Sequence, residues 1–564
     1  MARFIVSLLS VVALLLPALA EEGHNHDDLT ADQLGTVHFP VSCAPSAQRE
    51  FDRGIALLHS FAFETAEQAF RRVLEKDPHC AMAYWGIAKS YWRWSANTAP
   101  LEKGAEEVKA GERLHPHTRR ERSYLAALGK FFAHPKDDNY KRGEAFNQAM
   151  EKLVRENPED HEAQAFYAWS LIASDDAMHA NRTKAAPILE KLFLLEPNHP
   201  GVAHYLIHCY DVPGMAELGL PAARRYAQIA PAAPHALHMP SHIFARLGLW
   251  QEDISSNLAS IAASRNASAT HMGDEGHQYH AMEFLVYAYQ QSGRENEAER
   301  VIEEVKALPK MKNMYGSDYD PNLSAQVEYS ASYVTELHRW KDAVALPLLM
   351  AADDADSSLT YKARALGAAR LGDLQTAKLN LRALDDLHAK LLEKKKVSPA
   401  NAVDEDRRVV QAWIDHAEGK NDEALKRLQE LARKDEGLFA TDGDIPAHEM
   451  MGDMLLEMNR PEQALVEYES ELKLSPNRFN SLYGAGRAAE LAKQPGKAAG
   501  YYEQVLKVCA GGTSTRPELG YAQRFVSTVC ASPQSKSHQK KDRFAKSLVA
   551  RIDANLAVTL LRPC

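Results

Sequence analysis

From residue 47 to about residue 510, apolar positions recur with helical spacing in paired segments separated by short polar turns. Residues 47–80 place Gly54, Ala66, Phe70 and Pro78 at the eighth, twentieth, twenty-fourth and thirty-second positions of one such pair. Residues 445–478 repeat the frame with Gly452, Leu455, Ala464, Tyr468 and Pro476, and the following unit continues it with Gly486, Ala489, Ala498 and Tyr502. Ala223, Tyr226 and Pro231 keep the same register within 200–233. Weaker hairpins are expected near 160–197, 279–309, 325–350, 360–390 and 405–435. Small residues let two helices approach closely, and the large residues fill the space between hairpins. No alternating β pattern of any length is present.

Two helices in about 34 residues, with small residues at the contacts and Pro near the end, is the tetratricopeptide (TPR) pattern. One hairpin cannot bury its apolar face alone, so the units must stack. The expected fold is all-α: a TPR-type α-solenoid, a right-handed superhelix of helical hairpins that curls enough to bring its ends together. The expected divisions are a signal peptide at 1–20, a loose segment at 21–35, helical repeats at 36–160, His-rich repeats at 161–310, further repeats at 311–440, TPR units at 441–510, and a loop and final helix at 511–564.

Residues 1–20, MARFIVSLLSVVALLLPALA, carry Arg3, an apolar run and an Ala18-Leu19-Ala20 cleavage motif. This is the pattern of a secretory signal peptide, too short and wrongly flanked for a membrane span. The mature chain is expected to begin at Glu21 and to be exported, periplasmic or extracellular. The composition, 45% hydrophobic and 25% charged with mean hydropathy −0.40, is globular. A formal charge of −10 and a pI near 6.2 argue against nucleic-acid binding. Six cysteines permit disulfides in an oxidising compartment. Cys509–Cys530 is the favoured pair, Cys43–Cys80 the next, and Cys209 reads as a buried free thiol.

Five segments give a more specific resemblance: LGTVHFPVSC (34–43), CAMAYWGIAKSYW (80–92), HPGVAHYLIHCYD (199–211), APHALHMPSHIFARLGLW (233–250) and NRFNSLYGAGRAAE (477–490). Through them the chain resembles a family of exported TPR proteins over nearly its whole mature length. The resemblance implies the fold and export, and carries no activity with it.

The chemistry is concentrated in histidine. Nine of the 24 histidines fall in residues 199–280. His204 and His238 are 34 residues apart, as are His208 and His242, so one repeat superimposes them. His235, His238 and His242 share one helical face by their spacings of three and four. His280, Glu283 and Tyr287 take the corresponding second, fifth and ninth positions of the next first helix, after an insertion at 264–277. These positions are expected to line the concave groove. There His204, His208, His238 and His242 would form one divalent-metal site with help from His235, His280 and Glu283. Imidazole donors suit Zn or Cu, with Fe and Ni also compatible. Asp211, one turn beyond His208, could hold a ligand ring in its tautomer. Two other readings stand beside this one: a metal-free polar ligand pocket, and ordinary packing. His24-Asn25-His26-Asp27-Asp28 is a further loose metal-binding segment, read more simply as a solvated tail.

The same frame aims Trp85, Lys89 and Trp92 inward, along with Glu449, Asp453, Asn480, Tyr483 and Arg487, and puts His59 near the inner edge. Trp85, Tyr287, Tyr483 and Arg487 are the candidate ligand-binding residues, for a peptide, a protein or a polar small molecule in the groove. No nucleophile elbow, phosphate loop, dinucleotide-binding turn or HExxH motif is present. The leading reading is an exported scaffold with a His-rich metal site. The alternative is a metal-dependent hydrolase or oxidoreductase with Glu283 or Asp211 as general base.

Overall fold

The computed structural model describes residues 29–92, 100–174, 179–269, 276–308, 321–349, 354–435 and 445–531, with backbone alone at 268–269, 354–355, 434–435 and 530–531. It is an α-solenoid of antiparallel helical hairpins, and no strand occurs among the described residues. The expected hairpins are present as His161–Ala173 with Ala180–Leu195, His277–Gln291 with Glu295–Ala307, Asp354–Arg370 with Leu374–Glu393, and Val397–Ala417 with Asn421–Asp435. The frame works through close approach: a Cβ added at Gly54 would lie 2.7 Å from the Phe70 ring, and one at Gly452 2.7 Å from the Tyr468 ring. No side chain larger than hydrogen fits there, which is why the eighth position is glycine beside a large twenty-fourth residue.

Both ends of the array fold back onto its centre. The backbone N–H of Thr36 donates to the Asn198 carbonyl at 2.9 Å, and that of Ala232 to the Gln33 carbonyl at 3.1 Å. Within the segment expected to be loose, Ala31–Leu34 therefore forms a helical turn with Leu34 buried, while residues 21–28, including the His24–Asp28 run, lie outside the described residues. From the other side, Trp250 Nε1–H donates to the Asn477 carbonyl at 3.0 Å, and Arg478 Nη1–H to the Tyr287 hydroxyl at 2.9 Å. Arg478 is fully buried and also pairs with Glu449 at 2.8 Å and Glu336 at 2.6 Å.

This closure corrects the groove expectations. Trp85 does not line an open surface: it is wholly buried against Phe39, Tyr124 and Phe166. Lys89, Trp92, Tyr287, Glu449 and Asn480 are likewise buried. Lys89 and Trp92 are covered by Phe131, Phe146 and Trp169 of the next hairpins, and Tyr287 by the returning Arg478. Tyr483 is half-buried among Tyr502 and Tyr521, and Arg487 bonds Glu490 and the Tyr521 hydroxyl. Asp453 accepts from the Tyr468 hydroxyl.

The order of the expected disulfides is reversed. Cys43 and Cys80 are bonded, with their Cα atoms 4.9 Å apart. Cys509 is a buried free thiol that burial pushes up to about 12, and Cys209 is buried as expected, its Sγ donating to the Arg182 carbonyl at 3.4 Å. The Cys530 side chain, residues 532–564 and the signal segment lie outside what is described. No helix among the described residues is long and apolar enough to cross a membrane.

Candidate metal centre

The apolar core is divided where the histidines fall. One cluster runs from Leu34 to Phe244 and the next from Ala245 to Ala343. Three helical segments supply the histidines along this seam: Pro200–Tyr210, the pair Pro234–His238 and Pro240–Arg246, and His277–Gln291. Pro240 breaks the middle helix into two short pieces, because it brings no N–H to the ladder. Gly201 is required by the fold-back: a side chain there would strike the His59 ring.

The histidines are partitioned differently from the expectation. They form two triads, His204–His208–His235 and His238–His242–His280, each with its ligand atoms within 4.8 Å of one another. The 34-residue match relates the triads to each other instead of uniting four residues in one site. His204, His235, His238 and His242 are buried, so they belong to the core between hairpins and not to an open groove.

Hydrogen bonds assign the tautomers in the second triad. Asn257 Nδ2 donates to the Asp253 carbonyl at 3.1 Å, which turns its Oδ1 toward His238 Nδ1 at 2.7 Å. Asp211 Oδ2 faces His242 Nδ1 at 2.9 Å, and its Oδ1 accepts from Arg246 Nε at 2.8 Å. Glu283 Oε2 faces His280 Nδ1 at 2.9 Å. Each acceptor holds the proton on Nδ1, so Nε2 is the unprotonated nitrogen of all three rings. The Nε2 atoms of His238 and His242 then face each other at 3.0 Å, lone pair toward lone pair. A cation between them resolves that contact. A proton is a poor choice, since burial holds His238 far below the usual imidazole range, with the neighbouring His280 and His242 adding to it. Burial also lowers His242, against the opposing pull of Asp211. Asp211 itself is held low: burial would raise it, but Arg246 and His242 outweigh that.

Asp211 and Glu283 were the candidate general bases. The structure gives both a different task, fixing the rings of His242 and His280. Asn257, Phe284, Phe61 and His277 were not singled out from the sequence. Asn257 lies on a second helix, with no spacing relation to the histidines. Phe284 covers the second triad, its ring 4.6–5.1 Å from the three imidazoles. Phe61 covers the first triad at 4.4–5.9 Å. Phe61 has φ 55°, at the turn position that is glycine at Gly248 and Gly293. A bulky residue in that conformation costs on the order of 1 kcal/mol or more, so its ring contacts must hold it there. His277 is buried, and burial lowers it to about 3.

A third group, His59, Glu162 and His199, also has metal-ligand spacing. Its donors and acceptors are already matched. His199 Nδ1 accepts the Val202 N–H at 3.2 Å, so its Nε2–H donates to Glu162 Oε1 at 3.0 Å. The Tyr205 hydroxyl meets His59 Nδ1 at 2.8 Å, and His59 Nε2 meets Glu162 Oε2 at 2.9 Å. This is a satisfied polar network that ties the first hairpin to the centre. Burial lowers His59 to about 4.

No family model matches the chain, and no curated protein matches it. Solved structures with some likeness include the human IFIT1 dimer with m7Gppp-AAAA, 13% identical over 80% of this chain and 95% of that one, with a TM-score of 0.34. Yeast Tom70 is 13% identical over 88% and 99%, with a TM-score of 0.33. A tetratricopeptide repeat protein from Parabacteroides merdae is 16% identical over 52% and 97%, with a TM-score of 0.27.

Proposed function

We propose that this protein is an exported helical-repeat scaffold whose repeats are fastened at their centre by a transition metal bound to His238, His242 and His280. The observation that carries the reading is the set of three rings whose Nδ1 protons are committed to Asn257, Asp211 and Glu283, with the Nε2 atoms of His238 and His242 facing each other at 3.0 Å and the His280 ring beside both. Metal-ligating histidines are characteristically fixed through their other nitrogen in this way. Bonds of about 2.0–2.1 Å to a tetrahedral ion set two nitrogens about 3.4 Å apart, which the 3.0 Å His238–His242 pair reaches by a slight opening of the rings. Zinc or copper fits an imidazole donor set best, with iron and nickel next.

The metal joins the helices His277–Gln291 and Pro240–Arg246 at the seam between two apolar clusters. It would thereby hold the curvature on which the rest of the array is built. Repeat arrays of this kind offer extended surfaces to a protein, peptide or polar partner. Asp211 and Glu283 are occupied as orienting groups, which favours the scaffold over the enzyme reading. Export rests on residues 1–20, and the Cys43–Cys80 bridge suits an oxidising compartment.

The test is thermal stability of the full exported chain with and without zinc or copper(II). A ligand bound only by the native state raises the melting temperature as its concentration exceeds Kd. The wild type should show this rise, and the His238→Gln/His242→Gln double variant should show a smaller one. No rise with zinc, copper, iron or nickel at micromolar concentration and neutral pH would overturn the reading.

A further inference from the structure

The two histidine triads are one arrangement built twice. In each, the fifth and ninth positions of one first helix supply two histidines, and the second position of the next first helix supplies the third. The first set is His204, His208 and His235. The second is His238, His242 and His280, with the longer step to His280 taken up by the insertion after residue 264.

The first set shares two features with the second, one ring fixed through its Nδ1 and two Nε2 atoms that face each other. The His59 carbonyl accepts from His204 Nδ1 at 2.6 Å, which leaves Nε2 as the lone-pair nitrogen of His204. That nitrogen faces His235 Nε2 at 3.0 Å. His235 can satisfy it only by carrying its proton on Nε2, which leaves its buried Nδ1 a bare acceptor, and that Nδ1 has no hydrogen-bond partner. A cation shared by the two Nε2 atoms replaces the proton. Phe61 covers this triad as Phe284 covers the other.

We infer that His204, His208 and His235 hold a second transition-metal ion beside the first, so that the centre is dinuclear with imidazole donors only. The inference rests on the metal reading of His238, His242 and His280. The two sets are adjacent: His208 and His242 have ring centroids 6.0 Å apart, and His235 and His238 6.2 Å. Three nitrogens per ion leave a fourth position on each for a small ligand such as water or hydroxide. Such a donor set suits copper or zinc.

Copper(II) is the probe. The full chain carries His24→Ala and His26→Ala, so that the N-terminal segment contributes no binding, and it is loaded with copper(II), freed of excess and counted. Two ions per chain are expected, with a half-field electron paramagnetic resonance signal from two nearby copper(II) ions. His235→Gln and His238→Gln should each lower the count to one and abolish the half-field signal, with far-UV circular dichroism reporting on the fold. If a variant fails to fold, the count and the signal of the otherwise unchanged chain still decide. One copper in the chain that keeps His235, with no half-field signal and no loss on His235→Gln, overturns the second ion and leaves the first. No bound copper or zinc at all overturns both.

Discussion

The Nε2 atoms of His238 and His242 lie 3.0 Å apart, with Asn257 and Asp211 holding the protons of both rings on the far side. This makes Asp211 a residue that acts on metal affinity through His242. Asp211→Asn keeps an acceptor near the ring but removes the charge that also pairs with Arg246. Metal affinity should fall about 10- to 100-fold, as it does when other groups that hydrogen-bond a ligating ring are replaced. Competition with a chromophoric chelator measures it. An unchanged affinity would remove Asp211 from the site.

The metal-free protein should be acid-sensitive. Burial holds His59 at about 4, and His204 and His277 at about 3, against an ordinary 6.5. Below 6.5 the unfolded chain binds protons that the folded chain does not, so stability is lost as pH falls from 6.5 toward 3. Each such group contributes up to about 1.4 kcal/mol per pH unit in that window. Urea midpoints of the chelated protein should drop steeply between pH 7 and 4.5, and a flat profile would contradict the burial of these rings.

Much of this architecture is legible in the sequence. Gly54 with Phe70 and Gly452 with Tyr468 announce their hairpins because contact between neighbours is encoded at fixed positions of one repeat. The histidine phase is legible for the same reason. Its partition into two triads is not, because that depends on which position of the next helix meets which ring. Burial is not legible either. Trp85 is covered by Phe39 from ahead of the first hairpin and by Tyr124 and Phe166 of the next ones, while Tyr287 is met by Arg478 from far along the chain. Asn257 carries no pattern at all, since one amide on a second helix repeats nowhere.

Arg478 should be a keystone for the C-terminal repeats. Its guanidinium is wholly buried between Glu336 and Glu449. Arg478→Met leaves two carboxylates buried without their cation, a loss of about 3–5 kcal/mol. Calorimetry should show an earlier unfolding transition, and limited proteolysis should cut first on the C-terminal side. Wild-type melting behaviour would contradict the closure described here.

Lys89 should cost stability. Its ammonium is buried 3.8 Å from the centre of the Trp169 ring, and burial lowers it to about 7 from 10.5. Between pH 7 and 10.5 only the unfolded chain keeps that proton, so the fold gains stability as pH rises through the window. Lys89→Met should therefore raise the melting temperature by a few degrees at pH 6 and by less at pH 9. A variant less stable at pH 6 than at pH 9, relative to wild type, would show that the ammonium is stabilised by its aromatic cage.

The metal reading is tested most directly by X-ray absorption at the zinc or copper edge, on the full chain loaded with that metal. The expected spectrum has a first shell of nitrogen at about 2.0–2.1 Å, with the outer-shell scattering of imidazole rings. The metal content that carries it should fall in the His238→Gln/His242→Gln variant. A first shell dominated by oxygen or sulfur, or a metal content unchanged in that variant, would place the metal elsewhere and contradict the account.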